Sequence, residues 1–194
     1  LLLAKKIMNL RYIIEVEEIF SELTNLSRWK TNLEMKLLDS ADKYIFASEG
    51  LNNKVNKYDK PFSIVNGNYK VEKKVSFGFK DNNIHILYAG IINNNKGAFT
   101  AVEVARYLPN NYHVHILGYG DKPDVDSLLN HIDELDKTSG AYVSYDGLLS
   151  GTDYVEFVQN CQIGLCPQIT DAKYNNASFP SKISSYLSNG LRVV

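Results

Sequence analysis

The chain has 194 residues, of which 44% are hydrophobic and 22% charged, and these fractions are typical of a globular protein with one full α/β domain and part of another. Its formal net charge of −1 provides no general basic surface, so we expect no nucleic-acid partner. No segment approaches the ~18 consecutive apolar residues of a membrane-spanning helix, and we expect none.

The first part of the sequence predicts one portion of an α/β domain. It is expected to contain two strands and two helices: strands 11–16 and 43–48, helices 22–40 and 49–57. The longer helix carries an apolar stripe that we assign to the core, made of Leu26, Trp29, Leu33, Leu37 and Leu38. Residues 61–83 begin with an extended segment and an Asn-Gly turn and continue as a polar stretch, which we interpret as a linker.

From residue 84 onward the pattern is a regular alternation of strands and helices. The strands are expected at 84–89, 112–117, 141–145, 162–166 and from 191, and the helices at 97–108, 123–138, 151–160 and 181–189. This alternation indicates βαβ units and therefore a Rossmann-like parallel sheet with helices on both faces. Ligands of such sheets bind at the carboxyl ends of the strands.

The first candidate phosphate site is the turn IHILYAGIINNNKG, residues 84–97. Gly90 ends the strand, and Lys96 and Gly97 open the next helix, whose free N–H groups and positive dipole end suit an anion. The alternative is that Lys96 is an ordinary solvated lysine before a glycine. The turn has neither the GxGxxG spacing of a dinucleotide fingerprint nor the flanking residues of a P-loop.

The second candidate is SFPSKISSYLSNGLRVV, residues 178–194. Ser181 is a suitable N-cap for a short amphipathic helix, and Gly190 is a suitable stop before an apolar strand. The backbone at Ser181 and Lys182 would offer N–H groups and one ammonium to a phosphate, and the alternative is a capped surface helix. Two such turns in one α/β unit predict a nucleotide or nucleotide-sugar site.

The cysteines and histidines predict no metal site. Cys161 and Cys166 are interpreted as reduced core thiols, with a disulfide as the alternative. The four histidines are too scattered along the sequence to supply a ligand set; they are His85, His113, His115 and His131. We expect no bound metal, and reduced cysteines favour cytoplasmic residence.

These segments resemble the C-terminal domain of retaining GT-B glycosyltransferases, most closely the family 4 type of bacterial capsule and lipopolysaccharide pathways. The resemblance covers residues 11–194 and is carried by IHILYAGIINNNKG, HVHILGYG, Asp146-Gly147, QIGLCPQ and SFPSKISSYLSNGLRVV. It implies a GT-B α/β fold in three parts. These are the C-terminal portion of the acceptor-side domain (1–60), the interdomain crossing (61–83) and a donor-nucleotide domain truncated at its C-terminal end (84–194).

The resemblance implies a nucleotide-diphospho-sugar donor, a glycan or lipid-linked acceptor, and neither cofactor nor metal. The donor-binding residues that it implies are Gly90, Lys96, Gly97, Val143, Gly147, Ser181, Lys182 and Ser185. Lys96 matches the lysine that contacts the diphosphate, the backbone at Ser181 and Lys182 matches the loop that cradles it, and base and ribose are approached along 143–147. No catalytic base is identified, because most of the acceptor-side part is absent.

The chain departs from the family pattern at three positions. Ile91 follows Gly90 where many members carry arginine, and Ala177 and Ser185 stand where many carry two glutamates. The second glutamate usually holds the donor ribose, so Ser185 would make a weaker hydrogen bond. Two readings of the resemblance follow: a retaining, metal-independent hexosyl-type glycosyltransferase of surface polysaccharide synthesis, or a catalytically degenerate GT-B subunit that serves as a binding module.

A third reading sets the resemblance aside and takes the chain as another Rossmann-type protein, such as an epimerase-like or regulatory domain. It would bind a nicotinamide dinucleotide or an effector instead of a nucleoside diphosphate. For the glycosyltransferase reading we expect a cytoplasmic protein. Any peripheral contact with the inner face of the cell membrane would then be made by the N-terminal part that this chain lacks.

Overall fold

The computed structural model describes residues 5, 7–24, 26–67, 69–76, 78–93, 96–135, 137, 140–167 and 181–194. These residues belong to two compact units, the first ending at residue 68 and the second beginning at residue 69. Among the helices described, none is both long and apolar enough to cross a membrane.

The first unit contains a small parallel sheet in the order β1–β2–β3. Its strands are β1 (Ile13–Val16), β2 (Lys43–Phe46) and β3 (Phe62–Ile64), and its helices are α1 (Phe20–Leu23), α2 (Arg28–Asp39) and α3 (Glu49–Val55). Helix α3 buries Leu51 and Val55 completely against the strands, where they meet the fully buried Phe46. Its N-cap is Ser48, whose hydroxyl accepts from the N–H of Leu51.

The single helix predicted at 22–40 is wrong, because the chain forms two helices, α1 and α2, and the backbone is extended at Thr24 after the first and at Ser27 before the second. The carboxylate of Glu34 in α2 accepts from the N–H groups of Phe20 (2.7 Å) and Ser21 (3.0 Å), so α1 is capped by a residue distant in sequence. Only part of the apolar stripe reaches the core: Trp29 is 64% exposed and Leu33 45%, whereas Leu38 is partly buried and packs against the core. A tertiary cap of this kind leaves no signal in local periodicity.

The second unit contains a five-stranded parallel sheet in the order β6–β5–β4–β7–β8. Its strands are β4 (Ile84–Ile91), β5 (Tyr112–Tyr119), β6 (Tyr142–Gly147), β7 (Ile163–Gly164) and β8 (Arg192–Val193). Its helices are α4 (Ala98–Glu103), α5 (Lys122–Leu135), α6 (Gly151–Asn160) and α7 (Ser181–Ser188), with a 3-10 turn at Val104–Tyr107 after α4. The predicted alternation and parallel sheet are confirmed.

Strand β4 shows why this sheet is covered on both faces. Ile86 and Tyr88 point into the core formed with α4 and α5, whereas Leu87 and Ala89 point into a second core formed with α6 and α7. All four side chains are buried, so β4 is apolar on both faces, as expected of a central parallel strand. The predicted α/β fold with helices on both faces is confirmed.

The described part of 69–83 packs along the second unit, although its polar composition suggested a linker. The N–H of Glu72 donates to the carbonyl of Ser188 (2.9 Å), and the N–H of Val75 donates to Gln159 Oε1 (2.8 Å). Phe79 packs against the core beneath α6 and α7. Backbone contacts of this kind do not depend on side-chain hydrophobicity, so composition could not reveal them. The assignment of 61–83 as an interdomain crossing stays a prediction.

Candidate functional site

A cavity of about 450 Å³ lies at the carboxyl end of β4. Five of the residues predicted for the site line it: Gly90, Lys96, Ser181, Lys182 and Ser185. They come from two segments that are far apart in sequence, the turn after β4 and the start of α7. The parallel sheet brings them together because ligand sites of such sheets form outside the carboxyl ends of the strands.

Lys182 crosses the end of β4 directly beside Gly90. A Cβ built at Gly90 would stand 2.6 Å from Lys182 Cε and 3.1 Å from Nζ, so the lysine depends on the absence of a side chain there. Its ammonium lies 5.3 Å from the centroid of the Tyr88 ring, within cation–π range. Burial lowers the pKa of Lys182; Cys166 opposes this shift, and the charge of Lys96 adds to it. The cavity therefore concentrates positive charge in a partly desolvated place.

The turn that carries Lys96 is fixed by Tyr88 and Gly97. The Tyr88 hydroxyl donates to the carbonyl of Lys96 (2.6 Å), and the carbonyl of Ile91 lies 3.0 Å from the same hydroxyl. Gly97 is the N-cap of α4 with φ of +87°, and a Cβ there would lie 2.4 Å from the carbonyl oxygen of Pro167. Only glycine meets both demands, so the turn's geometry requires glycine at position 97.

Helix α7 is held against the sheet by Tyr186, which is fully buried. Its hydroxyl accepts from the N–H of Ala89 (2.8 Å), and its ring occupies the space where a side chain at Gly164 would lie. Burial raises the pKa of Tyr186, so its hydroxyl stays protonated. These contacts hold the first turn of α7, with Ser181 and Lys182, at the end of β4. The N–H groups of a first helical turn have no intrahelical partner and suit an anion.

Ser185 lies on the cavity wall, one turn after the start of α7. Its hydroxyl is 3.2 Å from the hydroxyl of Tyr154, so a neutral pair stands where the family resemblance implies a carboxylate. Ala177, at the other glutamate position of the resemblance, lies outside the described residues. These two hydroxyls can donate or accept hydrogen bonds, but they add no charge to the wall.

The structure does not bring Val143 and Gly147 to the cavity. Val143 is 2% exposed and belongs to the core with α5, and β5 lies between β6 and β4 in the sheet. Gly147 ends β6 with φ of +76°, next to a register shift against β5. The roles of these two residues in approaching a base and ribose stay predictions.

Three histidines form a cluster that the sequence analysis missed. His85 and His113 are register partners on β4 and β5, and His115 lies two residues further along the same face. One ring nitrogen of each lies within 4.8 Å of those of the other two. The expectation that the histidines are too scattered to come together is therefore wrong. The H-x-H pattern at 113–115 was a signal, but it acquires meaning only once β4 is known to pair with β5.

Comparisons with known proteins support the fold. No protein-family model and no curated protein sequence matches the chain. Anabaena Alr3699/HepE in complex with UDP and glucose is similar, with a TM-score of 0.75 and 13% identity over 98% of this chain and 54% of that one. The lipopolysaccharide outer core galactosyltransferase WaaB in its apo form has a TM-score of 0.60 and 17% identity over 93% and 55%.

A third similar structure is the pneumococcal O-GlcNAc transferase GtfA in complex with UDP and GlcNAc, with a TM-score of 0.58 and 14% identity. Here 94% of this chain and 37% of that chain are covered, and the chain spans about half the length of HepE and WaaB. At such identities the likeness concerns the fold. The chain has the α/β fold of GT-B glycosyltransferases.

Proposed function

We propose that this chain carries the donor-binding part of a glycosyltransferase that uses a nucleotide-diphospho-sugar. The observation that carries the proposal is the convergence of Lys96, Lys182 and the first turn of α7 on one cavity at the carboxyl end of β4. HepE and GtfA, which share the fold, are known in complexes with UDP. A diphosphate matches the cavity because it carries the negative charge that two ammonium groups and free N–H groups attract.

The chemical task of this site is to stabilise the leaving group. As the bond between the sugar and the terminal phosphate oxygen lengthens, negative charge grows on the diphosphate. Lys96 and Lys182 are already in place at the cavity, so their charges stabilise this transition state without reorganisation. Partial burial of Lys182 strengthens the interaction, because the local dielectric is below that of water.

The finer assignment rests on the family resemblance. We propose a retaining, metal-independent hexosyl transfer to a glycan or lipid-linked acceptor in bacterial surface polysaccharide synthesis. In this proposal the two lysines and the helix N-terminus neutralise the diphosphate. The protein would work in the cytoplasm, at the inner face of the cell membrane, where a lipid-linked acceptor is reached.

A second candidate function is favoured by one observation, the neutral pair of Ser185 and Tyr154 on the cavity wall. In this candidate the protein lacks the carboxylate that the family resemblance implies. It would bind a nucleotide and assist an active partner, but it would not itself transfer a sugar. The two candidates separate in one assay of the full-length protein: release of nucleoside diphosphate from a nucleotide-sugar occurs in an enzyme and not in a binding module.

The donor site is tested by a thermal-shift screen against UDP, GDP, ADP, CDP and NAD. We expect one nucleoside diphosphate to raise Tm, since a ligand at a hundred times its Kd stabilises the folded state by about 2.7 kcal/mol. The shift should shrink in Lys182→Ala and persist in Lys122→Ala, which removes an exposed lysine of α5. A shift with NAD alone, or none with any nucleotide, contradicts the proposal.

A further inference from the structure

The histidine cluster lies on β4 and β5 at the end away from the cavity, and two of its rings are bracketed by carboxylates. His85 Nε2 is 2.8 Å from Asp81 Oδ1, and His115 Nδ1 is 3.0 Å from Asp146 Oδ2. The two remaining nitrogens face each other, with His85 Nδ1 2.8 Å from His115 Nε2. Four side chains thus form a continuous row with the imidazole pair at its centre.

The positions of the protons in this row follow from the partners. An ionised carboxylate only accepts hydrogen bonds, so the outer nitrogens of His85 and His115 carry the N–H groups. In neutral rings the two inner nitrogens then both present lone pairs to each other at 2.8 Å. Two lone pairs at this distance repel, and only a positive species between them makes the arrangement favourable. That species is either a proton or a metal ion.

The third histidine favours the metal ion. Ser144 Oγ has a single proton, which it donates to Asp146 Oδ2 (3.0 Å). It therefore accepts from His113 Nε2 (2.8 Å) and from His115 Nδ1 (3.2 Å), which leaves Nδ1 of His113 with a lone pair. A shared proton needs two nitrogens, whereas a metal ion needs three or four ligands. The ring of His113 lies 3.7 Å from that of His115, centroid to centroid, so a third lone-pair ring stands beside the pair.

We propose that His85, His113 and His115 bind a divalent transition-metal ion of the zinc class. Imidazole nitrogens suit zinc and its neighbours, and three of them with one open position form a common set. Two nitrogens bound to tetrahedral zinc stand about 3.3 Å apart. The inner nitrogens of His85 and His115 therefore need to separate by about half an ångström, which small ring rotations provide.

The surroundings fit such an ion. His85 and His115 are 2% and 3% exposed, so their rings are pre-oriented by packing. The ring centroid of Phe79 lies 4.2 Å from that of His85. The ring of Phe157 packs edge-on against His115, with 5.2 Å between the ring centroids. Histidines that ligate metals usually donate their other N–H to a carboxylate, as both buried rings do here. The ion would thus crosslink the first residues of β4 to β5.

The test is a calorimetric titration of the metal-stripped chain with Zn²⁺. We expect saturable uptake of one ion per chain and a rise in Tm, together with visible ligand-field bands when Co²⁺ replaces Zn²⁺. His113→Gln should abolish uptake. His131→Gln is the matched control and should leave uptake unchanged, because His131 lies on α5, outside the cluster.

A second variant keeps the test decisive should a ligand substitution unfold the protein. Asp81 is 44% exposed at its side chain, so Asp81→Asn is tolerated by the fold. Because Asp81 orients His85, its loss should weaken Zn²⁺ binding by about 10- to 100-fold. Absence of saturable uptake in the wild-type chain overturns the proposal, as does equal uptake by Asp81→Asn, or an NMR titration showing only a proton shared between His85 and His115.

Discussion

The two ends of strand β4 carry opposite chemistry. At the carboxyl end, Gly90 has no side chain and admits Lys182, and the cavity collects positive charge. At the amino end, His85 meets His115, with a ring nitrogen of each 2.8 Å from the other. Gly90 and His85 are five positions apart along the strand, a distance of about 16 Å. On our proposals one buried strand serves an anion at one end and a cation at the other, with packed core side chains between them.

The largest expected effect comes from removing both lysines. Lys96→Ala with Lys182→Ala should weaken UDP binding by at least about a hundredfold, because each charged hydrogen bond contributes on the order of 1.5 kcal/mol or more. Isothermal titration calorimetry measures this loss. Zn²⁺ uptake at the other end should be unchanged, since distant sites without shared partners behave additively. A parallel loss of Zn²⁺ uptake would show that the two ends are not independent.

Tyr186→Phe tests whether α7 is anchored through Ala89. Removing the hydroxyl leaves the buried N–H of Ala89 without its acceptor, which should lower the free energy of unfolding by about 1–3 kcal/mol. Urea denaturation measures the change, and Tyr107→Phe is the control because Tyr107 is 85% exposed. We expect UDP affinity to fall in Tyr186→Phe while Zn²⁺ affinity holds, and the reverse result would contradict the anchoring role.

Gly90→Ala should displace the charge of Lys182 without destabilising the fold. The added methyl meets the end of the Lys182 side chain, which is flexible and swings away at little cost in stability. UDP affinity should fall about tenfold, the cost of one misplaced charged contact, while the urea midpoint stays near that of the wild type. An unchanged affinity would show that Lys182 does not need its position beside Gly90 to bind the diphosphate.

The pH dependence of UDP binding should reflect the loss of the proton from the Lys182 ammonium. Since burial lowers the pKa of Lys182 below 10.5, its ammonium is lost at a lower pH than that of an exposed lysine, and affinity should fall several-fold as pH rises through that pKa. In Lys182→Arg the charge persists, because a guanidinium stays protonated, and the alkaline fall should shrink. Calorimetry at a series of pH values tests this, and identical profiles would count against it.

The smallest expected effect is a gain. Ser185→Glu restores the carboxylate that the family resemblance implies, and it should tighten UDP binding a few-fold through a charge-assisted hydrogen bond to the ribose. Ser188→Glu, near the end of α7 and not on the cavity lining, is the matched control. No gain in Ser185→Glu relative to the control would show that this position does not face the ribose.

Much of the cavity at the carboxyl end of β4 could be predicted from the sequence, because it depends on the order of residues within one segment. A strand, a glycine, a Lys-Gly pair and a helix start occur within 84–98, and the turn's geometry requires glycine at Gly97. The parallel sheet then brings α7 to the same edge, as alternation predicts. The role of Val143 and Gly147 in approaching the base and ribose came from the family resemblance alone. No local feature of these two residues places them at the cavity.

The histidine cluster at the amino end of β4 could not be predicted, because it depends on strand register and on a carboxylate that lies outside the strand. His85 faces His113 only when β4 pairs with β5 in this register, and Asp81 precedes the strand in a segment that looked like a linker. The break between α1 and α2 has the same origin, since Glu34 caps a helix outside its own. Spacing along a chain does not show which strands pair, or which distant carboxylate faces a histidine or caps a helix.

The central claim is that the cavity at the end of β4 holds the diphosphate of a nucleotide. A crystal structure of the protein with UDP tests it most directly. We expect the diphosphate within hydrogen-bonding distance of Lys96 Nζ, Lys182 Nζ and the N–H groups that open α7. UDP bound with its diphosphate away from both lysines, or elsewhere on the protein, would contradict the account.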